Sequence, residues 1–178
     1  MDFVSFNKIA RLNRECVVTE KIDGTNAQII IDGTNIYAGS RNKFITTDND
    51  NFGFAKWVED NKECLMQLGD GRYFGEWWGH KIQRGYNLKE RKFSLFNVSK
   101  FGESRPSCCD VVPIIWSGLF EDMDINSIMQ QLLEHGSYAS PGFMNPEGII
   151  IYHTASKTYF KKTFEKDDIG KNQYLKGI

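Results

Sequence analysis

The stretch CVVTEKIDGTNAQIIIDGTNIYA, Cys16 to Ala38, decides how the chain is read. Cys16 to Ile22 has the look of a strand running into a turn that contains Gly24. Ala27 to Ile31 and Ile36 to Ala38, joined by Asp32-Gly33-Thr34-Asn35, read as a β-hairpin. Lys21 therefore stands at the end of an apolar strand with Asp23-Gly24 just after it, so one turn holds an amine and a carboxylate. Gly24 lets the backbone reverse or approach a ligand closely. An amine nucleophile must first lose its proton, and an unperturbed lysine at pKa ~10.4 is almost wholly charged near neutrality. Nearby cations or a bound metal depress that value and make the amine competent to attack phosphorus. Lys, Asp and Gly are also common neighbours in turns. Alone, the motif is more often a surface lysine beside an Asx-type turn.

Working outward, Phe54, Trp57, Val58, Leu65 and Leu68 keep helical spacing and predict a helix from Phe54 to Leu68, stopped by Gly69-Asp70-Gly71. Tyr73 to Trp77, Lys92 to Val98 and Val111 to Trp116 read as strands. Asp124 can cap a helix whose Ile125, Ile128, Met129, Leu132 and Leu133 form one face, with Gly136 at its end. Glu147 to Tyr152 and Lys157 to Phe164 read as strands facing each other across Thr154–Ser156. Strands outnumber helices and no βαβ alternation is present, so the class is α+β and a doubly wound parallel sheet is disfavoured.

The length of 178 residues suits one domain with a sizeable core, and 40% hydrophobic with 13% aromatic residues is too apolar for a disordered chain. No apolar run approaches the ~20 residues that span a bilayer, so no membrane partner is expected. The opening MDFVSFNKIARLN has no continuous apolar segment and no small-residue cleavage site, so no signal peptide is expected. Cys16, Cys64, Cys108 and Cys109 lack CxxC spacing. That argues against a zinc site or disulfide framework and for reduced thiols in the cytoplasm, with Cys108 and Cys109 as ordinary loop or core residues. A net charge of −1 excludes a general nucleic-acid coat but not a local basic groove.

Beyond the lysine turn, further blocks follow in order. They are Ser40-Arg41-Asn42, Phe74-Gly75-Glu76-Trp77-Trp78-Gly79, Leu95-Phe96-Asn97, Pro146-Glu147-Gly148-Ile149-Ile150-Ile151 and Thr158-Tyr159-Phe160-Lys161-Lys162. With Lys21-Ile22-Asp23-Gly24-Thr25-Asn26, these resemble the KxDGxN nucleophile motif and companion motifs of the covalent nucleotidyltransferases, the superfamily of ATP-dependent polynucleotide ligases and mRNA capping enzymes. Each block is weak alone; in family order from residue 19 to 163, chance is the poor explanation. Asn26 is similar to the RNA ligases, where DNA ligases tend to have Arg, and the extension Gly79 to Tyr86 resembles small stand-alone RNA ligases of phages. Asn97 departs from the Asp that many ligases carry there, and adjacent Lys161-Lys162 departs from two lysines spaced one residue apart.

The resemblance implies a nucleotidyltransferase fold, ATP-grasp-like, of two antiparallel sheets flanked by helices with ATP between them, filling residues 1–178 as one catalytic domain. It implies that Lys21 attacks the α-phosphorus of ATP, with Asp23, Glu76 and Glu147 as carboxylates for Mg2+, directly or through water, Mn2+ being the other suitable ion. The metal would lower the lysine pKa and stabilise the transition state. Lys161 is assigned as the lysine that reaches the α-phosphate, with Lys162 the candidate for the second. Glu20, Ile22, Asn26 and Arg41 complete the nucleotide contacts, and Phe96, with Phe93 as the alternative, stacks on adenine. For His80, Lys81 and Arg84 there are two readings, contacts to polynucleotide phosphates or a solvated loop. The implied reaction passes AMP to a 5′-phosphate end and joins it to a 3′-OH, on RNA or on DNA ends. Only 15 residues follow Thr163, leaving no room for an OB-fold; substrate grip is then expected from the groove, from Lys171 and Lys176, or from a protein partner. The competing readings are a DNA nick ligase or GTP-using capping enzyme, and a non-catalytic nucleotide- or RNA-binding module. The host cytoplasm of a phage is the implied setting.

Overall fold

The structure is a computed structural model and describes residues 2–167, so Lys171 and Lys176 lie outside the described residues. Two sheets form a mixed α+β fold. The first contains β1 (Glu15–Lys21), β8 (Ile114–Leu119), β9 (Gly148–His153) and β10 (Thr158–Thr163) in the order β10-β9-β1-β8, all antiparallel. The second runs β4 (Phe44–Ile45), β3 (Asn35–Ser40), β2 (Thr25–Asp32), β5 (Gly71–Gly79), β6 (Arg91–Leu95) and β7 (Asp110–Val111). This sheet corrects the all-antiparallel expectation, because β6 and β7 pair in parallel through Ser94↔Asp110 and Leu95↔Val111.

Alternation in β2 sends Ala27, Ile29 and Ile31 to one face, where they meet Tyr73, Trp77, Phe93 and Leu95 beneath α1 (Phe54–Asp60) and α2 (Lys62–Leu65). Phe54 and Trp57 of α1 pack on Trp77 and Phe93 with centroids 5.2–5.8 Å apart. Such pairs add about 0.5–1.5 kcal/mol each to the burial of their area. In the first sheet, Cys16, Val18, Ile149 and Ile151 face Ile128, Met129 and Leu132 of α4 (Ile125–His135). A third apolar cluster, Ile22, Trp78, Tyr86, Val112 and Phe143, packs Trp78 of β5 against residues of the connecting segments.

Several boundaries differ from the sequence reading, each for a local reason. The helix expected over 54–68 breaks at Asn61, whose φ −109 and ψ 15 end α1, and the last turn, Met66–Leu68, tightens to a 3-10 helix. The strand expected over 92–98 stops at Leu95 because Asn97 caps α3 (Val98–Phe101), accepting from the Lys100 N–H at 3.1 Å. The strand expected over 111–116 is split into β7 and β8, with Pro113, which has no N–H to donate, in the gap. Asp124 does cap α4, with N–H groups of Asn126 and Ser127 at 3.0 and 3.1 Å on its Oδ1. Leu133 leaves the expected apolar face and is exposed. Among the described residues no helix is long and apolar enough to cross a membrane.

Candidate active site

The segment Ile22–Gly24 carries the chain from the last residue of β1 in one sheet to the first residue of β2 in the other. Lys21 thus projects where two sheets meet. Ile22 anchors the turn, 4% exposed among Trp78, Tyr86 and Phe143. The Asp23 N–H donates to the Tyr86 hydroxyl at 2.7 Å. Gly24 is required by close approach: a Cβ there would stand 2.5 Å from the Trp77 carbonyl oxygen and 2.7 Å from the Trp78 Cβ.

Three carboxylates stand about the turn, one of them on the amine. Register pairs Lys21 with Gly148, so Glu147 is beside it, and Lys21 Nζ donates to Glu147 Oε2 at 2.5 Å with both side chains about one-fifth exposed. Glu76 stands opposite Asn26 across the β2–β5 pair and accepts from the Gly24 N–H at 3.1 Å. Burial pushes the Glu76 carboxyl up to about 7, the Lys21 charge and the Gly24 N–H pulling it down and Glu147 and Asp23 pushing it up. Asp23 accepts from Arg84 Nε at 3.0 Å. The sequence-nominated Lys21, Asp23, Glu76 and Glu147 are therefore brought together from elements up to 126 residues apart.

Among the described residues no three acidic, imidazole or thiol side chains converge into a preformed metal cage. The three carboxylates already hold Lys21, Arg84 and the Gly24 N–H.

The two adjacent lysines are separated by register. Lys161 pairs with Ile150 and Ile150 with Thr19, placing Lys161 on the face that carries Lys21. Lys162 pairs with Ile149 and Ile149 with Glu20, on the opposite face, and its amine donates to Asp167 at 3.1 Å. Of the two aromatic candidates, Phe93 is fully buried between Phe54 and Trp57, whereas Phe96 is half-buried beside the Ile22–Trp78 cluster. That removes Phe93.

The sequence pattern of the RNA ligase family matches residues 14–171. The chain belongs to the RNA ligase family. No curated protein matches the sequence. Solved structures of Naegleria gruberi RNA ligase are similar in fold. A Glu-to-Ala variant with ATP and Mn has TM-score 0.62 at 21% identity, over 93% of this chain and 52% of that one. A Lys-to-Ala variant with ATP and Mn has TM-score 0.61 at 20% identity, over 92% and 51%. The form with PPi has TM-score 0.60 at 18% identity, over 97% and 57%. This RNA ligase family chain thus spans about half the length of the structures it matches.

Within the family frame, some nominated residues stand elsewhere than expected. Glu20 is 1% exposed, and its two oxygens accept from the Ser137 hydroxyl at 2.6 Å and the Ala139 N–H at 2.9 Å. Burial raises its pKa against those bonds. Both oxygens are engaged inside the protein, so its role here is to hold the loop after α4, not to present a free carboxylate to a nucleoside. Arg84 is held by Asp23, by the Asn145 carbonyl at 3.3 Å and by Glu165 at 3.9 Å. It is thereby a tie between the turn and the ends of β9 and β10, not a free phosphate ligand. His80 faces the Leu88 carbonyl at 3.2 Å, while Lys81 and Arg41 are exposed. Sequence reading missed Tyr86, Ser137 and Asn51, whose side-chain amide donates to Thr25 Oγ1 at 3.0 Å. Gly85 was the available sequence signal of a turn there, in which Tyr86 takes φ 53.

Proposed function

We propose that the chain is an ATP-dependent RNA ligase that acts through a lysyl-AMP at Lys21. The reading is supported by one geometry above all: the Lys21 amine at the junction of two sheets, in contact with Glu147 and flanked by Asp23 and Glu76. Family membership over residues 14–171 agrees with it. The fold is inferred to be the nucleotidyltransferase fold, ATP-grasp-like, forming one catalytic domain with a cytoplasmic setting.

In the first step Lys21 Nζ attacks the α-phosphorus of ATP, the bond to the β-phosphate breaks and pyrophosphate leaves. The proton leaving Nζ has an acceptor already in contact, Glu147 Oε2. Phe96 offers a half-buried ring beside Ile22 for the adenine face, and Lys161, on the face of Lys21, supplies positive charge for the α-phosphate. Asn26, across from Glu76, is placed to position the nucleotide. In the second step an oxygen of an RNA 5′-phosphate attacks the lysyl-AMP phosphorus and Lys21 leaves as the amine. In the third, a 3′-OH attacks the 5′-phosphate, forming the phosphodiester and releasing AMP.

The donor set fits Mg2+, which prefers one or two carboxylates with water and substrate phosphates to an all-protein cage. Three carboxylates share the site, and Glu76 titrates at about 7 through burial and the neighbouring negative charges. Glu76, Glu147 and Asp23 would hold the ion, through water where their oxygens are already engaged. When bound it offsets charge growing on the phosphate oxygens.

Incubation with ATP labelled on the α-phosphate or on the γ-phosphate tests the first step. Label retained on protein from the α position only is the expected result; label from the γ position, or none from either, would refute it. Adding RNA with 5′-phosphate and 3′-OH ends then should discharge the protein label into a joined product, whereas GTP in place of ATP should give no adduct.

A further inference from the structure

The second sheet has an open side. In β2 the residues opposite the buried Ala27, Ile29 and Ile31 are Asn26, Gln28, Ile30 and Asp32. Register sets Glu76, Phe74 and Arg72 of β5 beside Asn26, Gln28 and Ile30, and Gly39 and Tyr37 of β3 beside Gln28 and Ile30. Phe44 of β4 pairs with Gly39. One row across the sheet is therefore Phe44, Gly39, Gln28, Phe74, and the Phe74 carbonyl accepts from Phe96 N–H at 3.0 Å. The next row on one side is Tyr37, Ile30, Arg72; on the other lie Asn26 and Glu76 of the active site.

Three rings on this face are open to solvent, Tyr37 at 46%, Phe44 at 62% and Phe74 at 48%, with Tyr37 and Phe44 edge to face at 6.0 Å. The floor between them is polar and fixed. Gln28 lies over Gly39, its Cγ where a Cβ on Gly39 would come within 2.7 Å. Its amide donates to the Ser40 carbonyl at 2.7 Å and accepts from Arg72 at 3.2 Å. Arg41 and Lys43, both exposed, flank the turn beside Phe44. Apart from Glu76, the acid at these register positions is Asp32, at the far end of β2.

We propose that this face is a stacking platform for the single-stranded end of an RNA, which it leads towards Asn26 and Glu76; the inference rests on the ligase reading and names where its polynucleotide lies. Rings spaced across strands about 4.8 Å apart, with cationic side chains at the rim, suit base faces and phosphates. A protein-docking surface would instead bring its apolar groups into one contiguous patch, and here Gln28 stands between Phe74 and the Tyr37–Phe44 pair.

The test is fluorescence anisotropy of the full chain with a labelled single-stranded RNA bearing a 3′-OH, run beside DNA of the same sequence. Phe44→Ala and Phe74→Ala should each weaken RNA binding roughly 5- to 100-fold, since one base stack is lost, while Phe44→Tyr and Phe74→Tyr bind within a few fold of wild type. Photocrosslinks from 4-thiouridine RNA should map to the peptides carrying Phe44 and Phe74. Absence of RNA binding by wild type, alanine variants that bind RNA normally, losses confined to the DNA arm, or crosslinks mapping elsewhere would overturn the proposal. Self-adenylylation of the wild type is scored separately, so its failure would count against the ligase reaction and not against the RNA site.

Discussion

Replacing Glu76 with Gln should stabilise the nucleotide-free protein above neutral pH while removing its activity. The Gln carbonyl can still accept from the Gly24 N–H, which holds Glu76 at 3.1 Å, so the turn keeps its tie. What changes is charge. A carboxyl with an ordinary value of 4.5 that titrates at about 7 in the folded chain keeps its proton longer folded than unfolded. Its contribution to stability is fully present below 4.5 and is lost as pH rises through about 7. At about 1.4 kcal/mol per pH unit the loss is roughly 3 kcal/mol, or about 2–3 kcal/mol once solvent screening at this partly exposed site is allowed for. For a domain of this size that corresponds to roughly 5–10 °C in Tm. Thermal unfolding of wild type and Glu76→Gln at pH 5 and pH 8, without nucleotide or metal, measures it. Most of the difference should vanish at pH 5, and millimolar Mg2+ should narrow it at pH 8 by stabilising only the wild type. A variant less stable than wild type at pH 8, or a gap independent of pH, would refute the reasoning.

Gly148→Ala should unfold or severely destabilise the protein, by about 3 kcal/mol or more, because Gly148 has φ +153 and a Cβ would stand 2.1 Å from the Lys162 carbonyl oxygen; urea unfolding reads this directly. Phe96→Ala should raise the KM for ATP about tenfold with little change in Tm, whereas Phe93→Ala should cost about 3–5 kcal/mol of stability because its ring is core. Lys161→Ala should lower the rate of lysyl-AMP formation at least tenfold. Lys162→Ala, whose partner is Asp167, should leave that rate within about threefold, as single-turnover measurements would reveal.

The lysine turn was legible because its chemistry is local. A strand end, an Asp-Gly and a hairpin sit within 23 residues, and Asp124 and Gly136 bracket α4 by short-range capping. Partners set by long-range pairing were not legible. Arg84 meets Asp23 across 61 residues and Ser137 meets Glu20 across 117, and no spacing rule encodes either contact. Glu20 and Lys21 are neighbours in sequence, yet strand alternation sends one into the α4 side and the other into the site. The same alternation, readable only once β9 and β10 are in register, separates Lys161 from Lys162. The strand boundaries at Asn97 and Pro113 went astray because apolar residues continue past both, and capping and a missing N–H override the pattern.

Everything functional depends on the amine at position 21 becoming bonded to phosphorus. Intact-mass measurement after incubation with ATP and Mg2+, followed by peptide mapping, examines that bond directly. A mass gain of one AMP, located on Lys21 and absent from Lys21→Ala, is the result expected; an unmodified wild type, or an adduct that persists in the variant, would contradict it.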